Sequence, residues 1–192
     1  MKALERRPIL LVLAGPNGAG KSTFYHAHLE PYGLRFVNAD DLSRELDLDA
    51  RNGAIAAERI RRELMARGES FAFETVFSDP VGDKLKFLKE AEEAGYSVVV
   101  FFMGIDSSAT AEDRVTMRVA QGEHDVPRDK IITRYPRVME NLRRALLDLS
   151  NVRVYDNSNL SSPYRLVALV EDAELTVIPP TPEWLKPLLP RK

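Results

Sequence analysis

Residues 15–22 read Gly-Pro-Asn-Gly-Ala-Gly-Lys-Ser, with Thr23 following. This is a complete G-x-x-x-x-G-K-[ST] pattern, and its residue types define a polyphosphate cradle. Glycines let successive backbone N–H groups turn inward into an anion-binding nest. A helix that starts at the loop adds unpaired N–H groups and the positive end of its dipole. Lys21 is placed to reach β- and γ-phosphates, and Ser22 to put its hydroxyl on Mg²⁺. With glycine at about 7% of residues, the fixed positions match by chance in roughly one chain in a hundred of this length. An ordinary glycine turn is therefore the weaker reading. The expected phosphate contacts are Gly15, Pro16, Asn17, Gly18, Ala19, Gly20, Lys21, Ser22 and Thr23. The nucleotide is ATP, with GTP as the alternative, and the metal is Mg²⁺ on Ser22.

A bound triphosphate needs acids and cations in front of it. Asp40, Asp41, Glu74, Thr75 and Asp106 each follow or end an apolar run. In open α/β sheets ligands sit beyond the carboxyl ends of the strands, so these side chains can converge there. A carboxylate at that point can take a proton from a substrate hydroxyl. Asp40 is the expected base, and one of the pair Asp40 and Asp41 is expected to cap the helix that follows. Glu74 interrupts an apolar run, where a charge is costly without a partner. Function is favoured for it over a structural ion pair, with Thr75 beside it on the substrate side. Asp106 reads equally as a metal-side acid or as the cap of the next helix. Arg114 and Arg118 share one helix face. With His124 and Arg128 they form an expected lid over the phosphates, Arg114 acting on the transferred group.

The elements that must position these groups alternate strand and helix. Strands are expected at 8–14, 34–38, 71–75, 98–103 and 152–155. Helices are expected at 21–29, 51–67, 81–94 and 108–121, with a long one after Pro127. In that last helix Ile131, Tyr135, Val138, Leu142, Ala145, Leu146 and Leu149 keep helical spacing. Residues 166–170 and 175–178 read as a hairpin, and the Pro-rich 179–190 as a surface wrap. Such alternation implies a three-layer α/β sandwich around a mainly parallel sheet of five or more strands, with the hairpin added. One domain is expected over 1–192, with its core at 8–158, a helical lid at about 107–130, and the hairpin and tail at 159–192.

Composition narrows the partners. The 192 residues carry a net charge of −2, 44% hydrophobic and 29% charged residues, as a soluble globular chain does. That balance argues against general nucleic-acid binding. Residues 114–144 hold eight basic and four acidic side chains, so this segment is +4 and the remainder −6. There is no cysteine, hence no disulfide framework or thiol nucleophile. No run is long enough to span a bilayer and none reads as a signal peptide. A cytoplasmic location is expected.

Taken in order, several pieces resemble the zeta-toxin family of P-loop kinases in its compact form. They are Ala-Gly-Pro-Asn-Gly-Ala-Gly-Lys-Ser-Thr at 14–23, Val-Asn-Ala-Asp-Asp at 37–41, Phe-Glu-Thr at 73–75 and Gly-Tyr-Ser-Val-Val-Val-Phe-Phe at 95–102. Then come Asp-Arg-Val at 113–115 with Arg118, Gly-Glu-His-Asp-Val-Pro at 122–127, Arg134-Tyr135 and Tyr-Asp-Asn-Ser at 155–158. The resemblance implies Asp40 as the base acting on a sugar hydroxyl, with Glu74 and Thr75 facing the substrate. It implies that Arg114 and the 118–128 region clamp the triphosphate. It also implies the family's activity, ATP-dependent phosphorylation of UDP-N-acetylglucosamine at the amino-sugar 3′-hydroxyl, and restraint by a small antitoxin. One position departs: compact members show Gly-Gly-His where this chain has Gly122-Glu123-His124. That acid is expected to face solvent.

Rival readings share the loop. An ABC-type ATPase would need a Leu-Ser-Gly-Gly-Gln helix start and a glutamine loop. The one glutamine, Gln121, lies in neither context. A nucleoside, nucleotide or polynucleotide kinase shares loop, base and lid, but few aromatics are placed for stacking along a strand. An ATP-dependent binding switch would not need Asp40. The leading expectation is a P-loop kinase acting on a hydroxyl of a small substrate, a nucleotide sugar by resemblance.

Overall fold

The computed structural model describes residues 2–120 and 126–190. The fold is built outward from β1, Ile9–Ala14, whose six side chains are all buried. Leu10, Val12 and Ala14 enter one core while Ile9, Leu11 and Leu13 enter the other. A strand apolar on both faces must be covered on both faces. Each such side chain contributes about 1.5–3 kcal/mol on burial. The loop leaving β1 therefore starts from a fixed point.

Parallel strands flank β1. On one side is β3, Phe71–Thr75, then β2, Arg35–Val37. On the other are β4, Ser97–Gly104, and β5, Val152–Asp156. The hairpin β6, Arg165–Glu171, and β7, Glu174–Val177, joins β5 antiparallel. The order is β2-β3-β1-β4-β5-β6-β7. The expected mainly parallel sheet is thus present, with the hairpin as its far edge.

Helices cover both faces. Phe24 of α1 (Lys21–Phe24) and Ala111 and Val115 of α5 (Ser108–Val119) pack in one core. Leu64 of α3 (Ala50–Ala66), Leu88 of α4 (Asp83–Glu93) and Leu142 of α6 (Arg128–Asp148) pack in the other. The short α2, Ala39–Glu45, lies against α3. Two local readings change. The expected 21–29 helix is α-helical for one turn and then widens into a π-helical turn over Tyr25–Leu29, which places Tyr25 stacked on Phe36 at 3.8 Å. The Pro-rich 179–190 is more than a wrap: Leu185 is fully buried in the α6-side core. No helix among the described residues is long and apolar enough to cross a membrane.

Candidate active site

The phosphate loop leaves β1 at Ala14 and enters α1 at Lys21. Its turn is closed by the Ala19 amide donating to the Pro16 carbonyl at 3.3 Å. Gly20 caps α1 with φ +83, a left-handed conformation that glycine adopts without strain. Lys21 is 6% exposed and folds back over the loop, donating to the Pro16 carbonyl at 3.0 Å.

Glu74, at the end of β3, reaches both motif side chains. Ser22 Oγ donates to Glu74 Oε2 at 2.9 Å, and Glu74 Oε1 lies 3.6 Å from Lys21 Nζ. The sheet order makes this possible. β3 is the direct neighbour of β1, with Leu13 opposite Glu74. Burial draws the Lys21 ammonium below its ordinary 10.5, and Arg118 adds to that; Glu74 and Asp40 push back. Opposed pressures of this kind concentrate at functional sites.

Asp40 and Asp41 lie in the first turn of α2, and neither caps it. Asn38 does, its side-chain oxygen accepting from the Asp40 amide at 2.9 Å. An amide oxygen serves as cap as well as a carboxylate does. Asp41 instead pairs with Arg44. Asp106 neither caps the next helix nor lines the cleft. Ser107 is the N-cap of α5, and Asp106 accepts from the hydroxyls of Thr110 and Ser107. The acid in contact with the loop's serine is therefore Glu74.

One cleft of ≈ 1120 Å³ gathers most of the expected residues. Its lining takes in Asn17, Gly18, Gly20, Lys21, Ser22 and Thr23 of the loop and helix start, with Asp40, Asp41, Arg44, Glu74, Arg114 and Arg118. Gly15, Pro16 and Ala19 complete the loop behind this surface. Thr75 turns back on its own loop, its hydroxyl accepting from the Phe77 amide at 3.1 Å. Arg128, in the first turn of α6, pairs with Glu112 at 2.7 Å and does not line the cleft. His124, with Gln121 and Glu123, lies outside the described residues.

Two residues distant in sequence hold the loop, and a third holds Arg114. Asn157 Nδ2 donates to the Ala19 carbonyl at 2.9 Å, and the Tyr164 hydroxyl donates to the Gly20 carbonyl at 2.9 Å. Arg114 is held by the Ser158 carbonyl at 3.0 Å. The segment after β5 thus fixes the loop and its arginine together. The Tyr-Asp-Asn-Ser run at 155–158 was the signal for it, although the run alone does not name the contacts. Tyr135 of the Arg134-Tyr135 pair donates to the Ile105 carbonyl at 2.7 Å, and burial pushes its phenol up to about 12.

The donor set suits a nucleoside triphosphate with Mg²⁺. Lys21, Arg114 and Arg118 line the cleft as the cations a polyphosphate would need. The Ser22 hydroxyl and Glu74 carboxylate supply the hard oxygens that Mg²⁺ takes alongside phosphate and water.

Comparison with known proteins agrees with this architecture. No curated protein matches the chain. A chain of the AvrRxo1-ORF1:-ORF2 complex crystallised with ATP superposes with a TM-score of 0.72 and 18% identity, covering 92% of this chain and 62% of that one. The present chain therefore spans less than two thirds of that relative's length. A chain of the PezAT chromosomal toxin-antitoxin system of Streptococcus pneumoniae gives 0.59 and 16%, covering 78% and 69%. A gluconokinase from Sinorhizobium meliloti 1021 gives 0.52 and 21%, covering 83% and 86%. These likenesses show a P-loop kinase fold. A family model described as an AAA domain matches residues 10–142, more than half of the chain, and the chain belongs to that family.

Proposed function

We propose that this protein is an ATP- and Mg²⁺-dependent kinase that phosphorylates a hydroxyl of a small substrate, a nucleotide sugar such as UDP-N-acetylglucosamine. One observation carries the reading: Asp40 lines the same cleft as Lys21, Ser22, Arg114 and Arg118. A pure binding switch does not need a carboxylate there. A kinase needs one to receive the acceptor's proton.

ATP supplies the phosphoryl group when bound, and Ser22 and Glu74 would hold a Mg²⁺ that offsets phosphate charge. The chain does the rest. The loop amides and Lys21 hold the phosphates. Asp40 orients the acceptor hydroxyl and takes its proton as the new O–P bond forms and the β–γ bridge breaks. Arg114 and Arg118 receive the charge that spreads over the phosphoryl oxygens. The helical region at about 107–130 closes over the phosphates as a lid within one domain spanning 1–192. His124 and Arg128 join the site in the closed form, Arg128 leaving Glu112 to do so.

The UDP-sugar class rests on the zeta-toxin resemblance, which the likeness to the PezAT chain supports. A small antitoxin partner follows from the same reading. The test is incubation with ATP, Mg²⁺ and a panel of UDP-sugars, nucleosides, gluconate and short RNA, read by mass. A phosphate added to a UDP-sugar is expected. ADP release with no phosphorylated product in any arm contradicts the kinase reading, and a phosphorylated nucleoside or RNA contradicts the acceptor.

A further inference from the structure

The chain contains one tryptophan, Trp184, and it sits at a junction. Its indole Nε1 donates to Asp156 Oδ1 at 3.1 Å. The same carboxylate oxygen accepts from the Ser158 amide at 3.2 Å and hydroxyl at 2.6 Å, while Oδ2 takes Arg165 at 3.1 Å. Burial opposes the charge on Asp156, but these donors outweigh it and hold the carboxyl below its ordinary range.

What Asp156 holds is the turn that holds the site. Ser158 presents its carbonyl to Arg114, and Asn157 reaches the Ala19 carbonyl. The indole also packs on Gly104 at the end of β4, where a Cβ would lie 2.1 Å from its ring. The Gly104 carbonyl accepts from the Asn157 amide at 2.8 Å. A second route from the tail thus meets the first at Asn157. Leu185, fully buried, anchors the tail beside it.

We propose that the 179–190 segment positions the phosphate loop and Arg114, with Trp184 acting through Asp156 as a positioning residue. The inference rests on reading the loop as the nucleotide site. It goes further by making the far end of the fold part of that site's geometry. Trp184 touches no substrate; it sets the turn that sets the loop. Side-chain networks of this kind can be worth more than the sum of their separate bonds.

Hydrogen–deuterium exchange of the full chain tests it, comparing wild type with Trp184→Phe, each free and with MgATP. Phe keeps an aromatic ring against Gly104 but removes the donor. In the free proteins, exchange over 15–24 and 157–164 is expected to rise about fivefold, the loss of roughly one hydrogen bond. Exchange in α3 stays unchanged. MgATP affinity should fall by a similar factor, and the loss should be smaller in an Arg114→Ala background, because coupled residues are not additive. Asp156→Ala, which removes both acceptor oxygens of the junction, should raise exchange over the same 15–24 and 157–164 segments, and it decides the matter if Trp184→Phe folds poorly. A rise confined to 180–190, or spread evenly over the chain, overturns the inference. Failure of MgATP to protect 15–24 in wild type overturns the nucleotide reading instead, and the free-protein comparison still decides the coupling.

Discussion

One carboxylate bridges the two reactive side chains of the phosphate loop: Glu74 accepts from the Ser22 hydroxyl at 2.9 Å and lies 3.6 Å from the Lys21 ammonium. A phosphate loop that meets an acid from the adjacent strand has the arrangement that holds Mg²⁺ in P-loop NTPases. The bridge also charges the site for two tasks. Glu74 opposes the burial that lowers the Lys21 ammonium, and it accepts from Ser22.

Glu74→Gln keeps the size and removes the charge. Phosphoryl transfer should fall roughly 10²-fold, the usual cost of losing one preorganised electrostatic group. The Mg²⁺ concentration for half-maximal rate should rise. Titrating the initial rate with Mg²⁺ at fixed ATP checks this. An unchanged Mg²⁺ dependence would assign Glu74 to the acceptor alone.

Lys21 predicts an alkaline limb. Burial places its folded pKa below 10.5, so the cation that holds phosphate is lost as pH rises through that lowered value. ATP affinity should decline there, before an exposed lysine titrates. Glu74 is the largest influence raising Lys21, so Glu74→Gln should move the limb to lower pH. Stability has the opposite sign. The unfolded chain binds the proton more tightly, so this residue's penalty is full below the folded pKa and relieved as pH climbs towards 10.5. Calorimetric affinities and urea midpoints from pH 7 to 10 separate the two trends. Lys21→Met should flatten both.

How much of this was legible in the sequence depends on distance along the chain. The strand at 71–75 was read to the residue, because an apolar run between Gly68-Glu69-Ser70 and the polar 78–82 stretch leaves little freedom. The loop, Asp40 and the arginine face of α5 were legible from local spacing. The acid that meets Ser22 was not. Asp106 and Glu74 both end apolar strands, and only the sheet order, with β3 and not a later strand beside β1 on that side, puts Glu74 on Ser22. The cap of α2 was misread because Asn38 and Asp40 cap equally well by type. Asn157 and Tyr164 were missed because they grip backbone carbonyls 138 and 144 positions away, which no local pattern encodes.

Those grips make Gly20 a sensitive position. A Cβ there would lie 2.8 Å from both Asn157 Nδ2 and the Tyr164 hydroxyl, on a backbone at φ +83. Gly20→Ala should lower stability by about 1–3 kcal/mol from the strained backbone, and weaken ATP binding further by displacing both donors. Urea unfolding with ATP titration checks it. Wild-type ATP affinity in this variant would show that the two grips do not shape the loop.

The central claim is that Asp40 takes the proton of an acceptor hydroxyl while Lys21 and the loop bind ATP independently of it. The direct measurement is Asp40→Ala, with ATP affinity by calorimetry and phosphorylation of a UDP-sugar by mass in the same preparation. Turnover should fall by roughly 10²–10⁴-fold, the range for loss of a general base, with ATP affinity within about twofold of wild type. Full turnover in the Asp40→Ala protein would contradict the account.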